Sequence, residues 1–301
     1  MAEMAEDGFG RLKTVVVVAA EKLRDGIVSA LKNEGFRDID VAASAEAFTE
    51  HLRNNEVDLV VTLFQADQMA LGRAVRDLRL GLLDCSPFPV VLALLPNADK
   101  EQVMATLDAG VDDLLIFPLS SETLFKRIRQ FAQDRRPFVV THDYIGPDRR
   151  LNPRAEQAGI TLIKVPNPVR SRVAGVQDRD IRRSIEDAVR VIDREKLRQN
   201  ALHLLRLIDR FQGNAESSPT ESPSTAGFLA ACLTTCEDVA RRARGSAERD
   251  IRERAERAIV SVRGFAASGE TPDHPEFPEV IRRIEAIVYE ISAYHGAELT
   301  I

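Results

Sequence analysis

A chain of 301 residues with 41 Lys and Arg against 47 Asp and Glu carries a formal charge of −6, which excludes a global bias toward nucleic acid or anionic membrane. Three cysteines (Cys85, Cys232, Cys236) are too few and too irregularly spaced for a disulfide framework, so a reducing compartment is expected. No apolar run approaches the ~20 residues of a membrane span. The absence of Trp leaves little for stacking single strands.

Residues 1–13, MAEMAEDGFGRLK, form an acidic N-terminal tail without the apolar core of a signal peptide, and a cytoplasmic location is expected. From residue 14 to 134 two periodicities alternate. Short apolar, β-branched runs occur at Thr14–Val18, Ile39–Val41, Leu59–Leu63, Val90–Leu95 and Leu114–Phe117. Between them, apolar residues recur at helical spacing: Ile27, Leu31 and Phe36; Leu71, Ala74, Val75 and Leu78; Leu124, Ile128 and Phe131 after a capping Ser120. Five such strands, apolar throughout, alternating with five helices predict an α/β domain with a doubly wound five-stranded parallel sheet covered on both faces.

Residues 135–177 change texture. Prolines at 137, 147, 153, 166 and 168 forbid a long helix, and over 135–183 eleven Lys and Arg face five Asp and Glu. The segment reads as a basic connecting strap. PFVV and ITLIKV hold too many β-branched and aromatic residues for a solvated tether. Phe138, Val140, Ile160, Leu162 and Ile163 are therefore expected to dock on a domain or to pair as a ribbon. From 178 to 301 the pattern is helical: Ile181, Ile185, Ala188 and Ile192, then Ala201, Leu204, Leu205, Ile208 and Phe211, then Phe228–Arg244, Glu248–Ala267 and Phe277–His295. The polar stretch 213–227 reads as a flexible loop, and the helices as a small antiparallel bundle.

VDLVVTLFQADQMALGRAVRDLR, PFPVVLALLPNADKEQVMATLDAG and LDAGVDDLLIFPLSSETLFKRIRQF, in unbroken order, resemble the third to fifth strands of a response-regulator receiver domain with the helices that follow them. The resemblance covers residues 14–134. It implies a Mg²⁺-dependent phosphorylation pocket at the strand ends, and here each chemical position is altered. The acidic pair falls on Ala19 and Ala20, with Glu21 alone surviving. The phospho-acceptor falls on Leu63, or on Thr62 with a register slip of one. The hydroxyl position is Leu94 and the lysine position Phe117, followed by a retained Pro118 whose peptide bond the resemblance implies to be cis. The reporting aromatic is Leu114. Mg²⁺ needs carboxylate and phosphate oxygens, and phosphoryl transfer is mostly positioning and charge neutralisation. The resemblance therefore implies a pseudo-receiver that takes no metal, no cofactor and no phosphate, with Leu63, Leu94 and Phe117 filling the pocket.

Two segments could bind something. In HDYIGPDRR, Tyr144 offers an aromatic face, and Arg149 and Arg150 planar forks for phosphate or carboxylate. Arg135 and Arg136 precede them, and Arg154, Arg170 and Arg172 follow. This cluster is read as a structural strap paired with carboxylates, as a protein-partner contact, or as an anion site for a dinucleotide such as cyclic di-GMP, although the RxxxR and DxSxxG pattern of the PilZ family is absent. HLLRL resembles the histidine region of phosphotransfer bundles, which makes His203 a candidate phosphotransfer residue, but Leu207 stands where access needs a small side chain. Cys232 and Cys236, one helical turn apart, lack further metal ligands and are expected to be buried. No Gly-rich phosphate loop, HExxH, GxSxG or helix-turn-helix pattern is found. The reading is a non-enzymatic signalling adaptor of a two-component or chemotaxis-like pathway. It is expected to act through protein partners, with homodimerisation open and neither membrane nor nucleic acid involved.

Overall fold

The computed structural model describes residues 6–65, 69–97, 99–150, 161–213 and 224–296. The first unit contains a five-stranded, wholly parallel sheet: β1 (Thr14–Val17), β2 (Ile39–Ala42), β3 (Leu59–Leu63), β4 (Val90–Leu95) and β5 (Asp113–Ile116), in the order β2-β1-β3-β4-β5. This is the flavodoxin- and CheY-like winding of a doubly wound sheet, as the alternation of periodicities predicts. Strand alternation sends side chains to two cores. Val16, Val18, Leu59, Val61, Leu63, Leu92 and Leu94 meet α1 (Glu21–Asn33) and α5 (Ser121–Gln133). Val15, Val17, Val60, Val91, Ala93 and Leu95 meet α2 (Ala45–Asn54), α3 (Met69–Arg79) and α4 (Lys100–Asp108). Helix starts follow the capping chemistry: Ser44, Asp99 and Ser120 accept from the backbone N–H three residues on.

The expected tail is part of this domain. Glu6–Arg11 forms a 3₁₀ turn, and Phe9 and Leu12 are buried on the α1–α5 side. Phe9, Phe36 and Phe125 meet there at ring separations of 5.1–6.1 Å.

The strap folds as a three-stranded antiparallel ribbon: β6 (Phe138–Val140) lies between β7 (Ile145–Pro147) and β8 (Leu162–Ile163). Phe138, Val140 and Ile163 are buried as expected, whereas Leu162 faces outward at 38% exposure, because alternate residues of a two-residue edge strand must point apart. Ile160 and Arg154 lie outside the described residues. A short helix, α6 (Pro168–Val173), capped by Asn167, then sets Val169 into the α1–α5 core.

Contacts divide the chain into Met1–Arg190 and Val191–Ile301, so the boundary falls inside the 34-residue α7 (Asp178–Phe211) rather than at its start. The second unit comprises the rest of α7 with α8 (Thr225–Arg242), α9 (Arg249–Ser268) and α10 (Phe277–His295). One apolar core joins them, with Leu204 and Ile208 of α7, Cys232 and Val239 of α8, Ala258 and Val262 of α9 and Ile284 and Ile287 of α10. Phe211 stacks on Phe228 at 4.3 Å, and Phe265 and Phe277 close the same end. Most of the expected loop, 214–223, lies outside the described residues, and its last residues already belong to α8, which Ser224 caps.

Candidate functional site

The carboxyl ends of β1, β3 and β4 are where a receiver-like sheet would keep its chemistry. Register places Val17 beside Thr62 and Leu63 beside Leu94. Leu63 and Leu94 are 5% and 1% exposed and sit in the α1–α5 core with Leu124. Phe117 is half-buried against the same core, and the Phe117–Pro118 bond is cis. Thr62, the slipped-register alternative, is fully buried and donates its hydroxyl to the Val17 carbonyl at 3.1 Å.

Ala19, Ala20 and Glu21 are exposed at the mouth. Ala20 opens α1 without any side-chain cap. The free carbonyls there are taken by an arginine one turn into the helix: Arg24 Nη1 donates to Val18 O at 3.1 Å and reaches Ala19 O at 3.5 Å. Leucine and alanine bring no oxygen ligand, and one exposed glutamate does not make a divalent-cation shell. These residues do not fit Mg²⁺. Among the described residues no cluster of three His, Cys, Asp or Glu side chains is placed to hold a metal.

The strap arginines are committed to the protein. Arg135, with its side chain 3% exposed, donates from Nε to Asp112 Oδ1 at 2.7 Å and from Nη2 to Asp112 Oδ2 at 3.1 Å. Its Nη1 donates to the carbonyls of Phe88 at 2.8 Å and Pro166 at 2.6 Å. Opposite it, Arg79 of α3 donates from Nη2 to Asp112 Oδ2, the oxygen that Arg135 Nη2 also bonds, at 2.7 Å, and to the carbonyls of Gly110, Pro87 and Pro89. Both guanidiniums lie over the Phe138 ring, 5.3 and 5.0 Å from its centroid. Burial pulls the Asp112 pKa up, but Arg135 and Arg79 outweigh it and hold the carboxyl below its ordinary value. Burial lowers Arg79 to about 10, against the pull of Asp112.

The remaining candidates also have local partners. Arg149 donates to the Val111 carbonyl, Arg150 pairs with Asp148 at 2.8 Å, and the exposed Arg136 reaches the Asp148 carbonyl at 3.5 Å. Tyr144 donates to Pro147 O at 3.1 Å and is half-buried, with burial raising its pKa. Arg172 of α6 is buried against Asp58 at 2.9 Å and also bonds Asp178, while Arg182 pairs with Glu56 at 2.7 Å. Burial raises Asp58 above its ordinary value despite the Lys13 N–H and Arg172. Arg170 is exposed.

Sequence reasoning missed the Arg79–Asp112 half of this network, although a signal was there. Arg79 follows Val75 by four residues on the apolar stripe of α3, and an arginine in that position must find a buried carboxylate. In the second unit a comparable network joins α7 to α8: Arg242, 3% exposed at its side chain, bonds Asp193 at 2.6 Å and Asp238 at 3.0 Å, and Asn200 donates to Asp238 at 2.8 Å. His203 lies half-buried on α7 between the buried Leu202 and Leu204. Cys232 and Cys236 are fully buried, with burial pushing both thiols up to about 12.

No family model and no curated protein matches the chain. Among solved structures it is similar to the chemotaxis protein CheY4 of Vibrio cholerae, at 18% identity over 40% of this chain and 97% of that one, with a TM-score of 0.36. It is likewise similar to a response-regulator receiver domain from Bermanella marisrubri at 20% identity over 39% of this chain and 94% of that one, TM-score 0.35. A response regulator from Thermotoga maritima is matched at 22% over 40% and 96%, TM-score 0.34. The fold assignment rests on strand order and register. No helix among the described residues is long and apolar enough to cross a membrane.

Proposed function

We propose that the chain is a non-catalytic signalling adaptor whose receiver-like domain works through protein–protein contact without phosphorylation, in a two-component or chemotaxis-like pathway. The observation that carries this reading is the buried Leu63–Leu94 pair at the strand ends, with Arg24 donating to the Val18 carbonyl just past β1. An acceptor carboxylate, a metal shell and a charge-neutralising lysine are what phosphoryl transfer needs, and the residues in those places are leucine, alanine and phenylalanine. The strap arginines favour a structural role over anion capture, since Arg135, Arg149 and Arg150 already bond to protein acceptors. Incubating the full chain with acetyl phosphate and Mg²⁺ and measuring intact mass tests the reading. No phosphoryl adduct is expected. Stoichiometric labelling within residues 14–134 would overturn it.

A further inference from the structure

We propose that the open half of the cleft between α3 and α4 is a docking groove for an amphipathic helix of a protein partner, with acidic residues on the flank that meets α3 and basic residues on the flank that meets α4. This deepens the adaptor reading and rests on it. The two helices lie on the same face of the sheet, and the described part of the strap covers one end of the space between them. There Arg76 donates to the Asp143 carbonyl at 2.9 Å, and Gly146 packs on Gly110. Toward the α3 N-terminus no described residue covers the space, a cavity of about 600 Å³ whose walls include Phe64, Met69, Gly72 and Ala105.

Its floor is apolar and shaped by small residues. Gly72 has no side chain, Ala105 of α4 and Ala109 at its C-cap stand one turn apart, and Phe64 is 5% exposed. Small residues let a third helix approach closely. The polar groups near the floor are already used: Gln102 Nε2 donates to Phe64 O at 3.0 Å, and Thr106 Oγ1 to Gln102 O at 2.8 Å. A small-molecule site of this size would present a few convergent polar groups to fix its ligand. Here the charge stands on the rims instead, Arg73 and Arg76 along α3, Glu101 and Asp108 along α4. An apolar trough between charged banks of opposite sign fits a helix laid in a groove, its apolar anchors at i, i+3/i+4 and i+7 and its flanking charges complementary. Met69 at 71% exposure, and Met104 on the outer flank of α4 at 49%, add adaptable apolar surface.

The test places a photo-crosslinking residue at Ala105 in the full chain, and in a second version at Tyr289 on α10, in native cells, with the captured peptides mapped by mass spectrometry. The Ala105 probe is expected to capture a segment with helical apolar periodicity and flanks of opposite charge. The synthetic peptide of that segment should bind the full chain, and Arg73→Glu with Glu101→Lys should weaken it at least about tenfold, as expected for like charges brought face to face. Gly72→Leu should block it without harming the fold, because a Cβ there meets only Phe64 Cε1, at 3.8 Å; circular dichroism checks this. Capture from Tyr289 alone would refute the groove and leave the adaptor reading standing, whereas capture from neither position would sink both. An extended segment, a second copy of this chain, or a peptide indifferent to the charge reversal would each overturn the groove assignment.

Discussion

Replacing Asp112 with asparagine would remove a carboxylate held between two guanidinium side chains that are only 1% and 3% exposed. Four donors converge on it: Arg79 Nη2 at 2.7 Å, Arg135 Nε at 2.7 Å, Arg135 Nη2 at 3.1 Å and Val91 N at 2.8 Å. Breaking a buried ion pair from one side costs about 3–5 kcal/mol, because a charge stays behind without compensation. The lower end of that range is expected here, since Arg79 and Arg135 keep their carbonyl acceptors at Gly110, Pro87, Phe88 and Pro166. Asp113→Asn is the control. Its partner Arg127 lies at 3.0 Å, but both side chains are partly solvated, at 41% and 28% exposure, so a loss of no more than about 1 kcal/mol is expected.

Urea unfolding followed by circular dichroism, with limited proteolysis to report whether residues 135–150 stay docked, separates the two variants. A loss below about 1 kcal/mol for Asp112→Asn, or one no larger than for Asp113→Asn, would refute the claim that this network pins the strap. The pH dependence is a second reading of the same site. The folded pKa of Asp112 lies below its unfolded value of about 3.9, so its stabilisation is complete above that value and is lost as pH falls through the folded pKa. Asp112→Asn should therefore flatten the acid limb of the stability profile. Asp58 behaves oppositely: its folded pKa is raised, so the cost of ionising it is present above the folded pKa and is relieved as pH falls toward the unfolded one.

Leu63→Asp, which restores an acceptor carboxylate alone, should destabilise the first unit by at least about 2 kcal/mol, because it buries a charge without partners; denaturation and acetyl phosphate labelling would show a weaker fold and still no adduct. Gly110→Ala should cost about 1–3 kcal/mol, since Gly110 has φ +90° and a Cβ would come within 2.9 Å of Arg79 Cγ and 3.2 Å of Ile145 O; a variant as stable as the parent in urea would contradict that packing. Cys232 and Cys236, fully buried and with burial pushing both thiols up to about 12, should stay unreactive to a thiol-disulfide reagent at neutral pH until urea is added. Prompt modification of either in the native chain would count against that burial.

Local chemistry read along the chain was enough for the five strands of the parallel sheet, for the course of the long helices and for the Ser120 cap. β-Branched apolar runs become fully covered strands because both sheet faces receive helices, and Ser120 marks a helix start because its hydroxyl reaches the backbone donor three residues on; Ser44 and Ser224 cap in the same way but were seen only in the fold. The apolar chemistry of the strand ends was legible for the same reason: alanine and leucine carry their lack of oxygen ligands in any fold. The partners of the charged residues were not legible. Arg135 reads from sequence as part of a cluster that pairs with carboxylates, contacts a partner or takes an anion, and only tertiary structure brings it to Asp112, 23 positions away, beside Arg79. Arg172 likewise meets Asp58 across 114 positions, and Phe9 leaves a nominal tail for the α1–α5 core. Apolar periodicity encodes which face of an element is buried, whereas ion pairing depends on which distant elements share a boundary. The chain topology decides that, and it also decides which end of the α3–α4 cleft the described part of the strap closes.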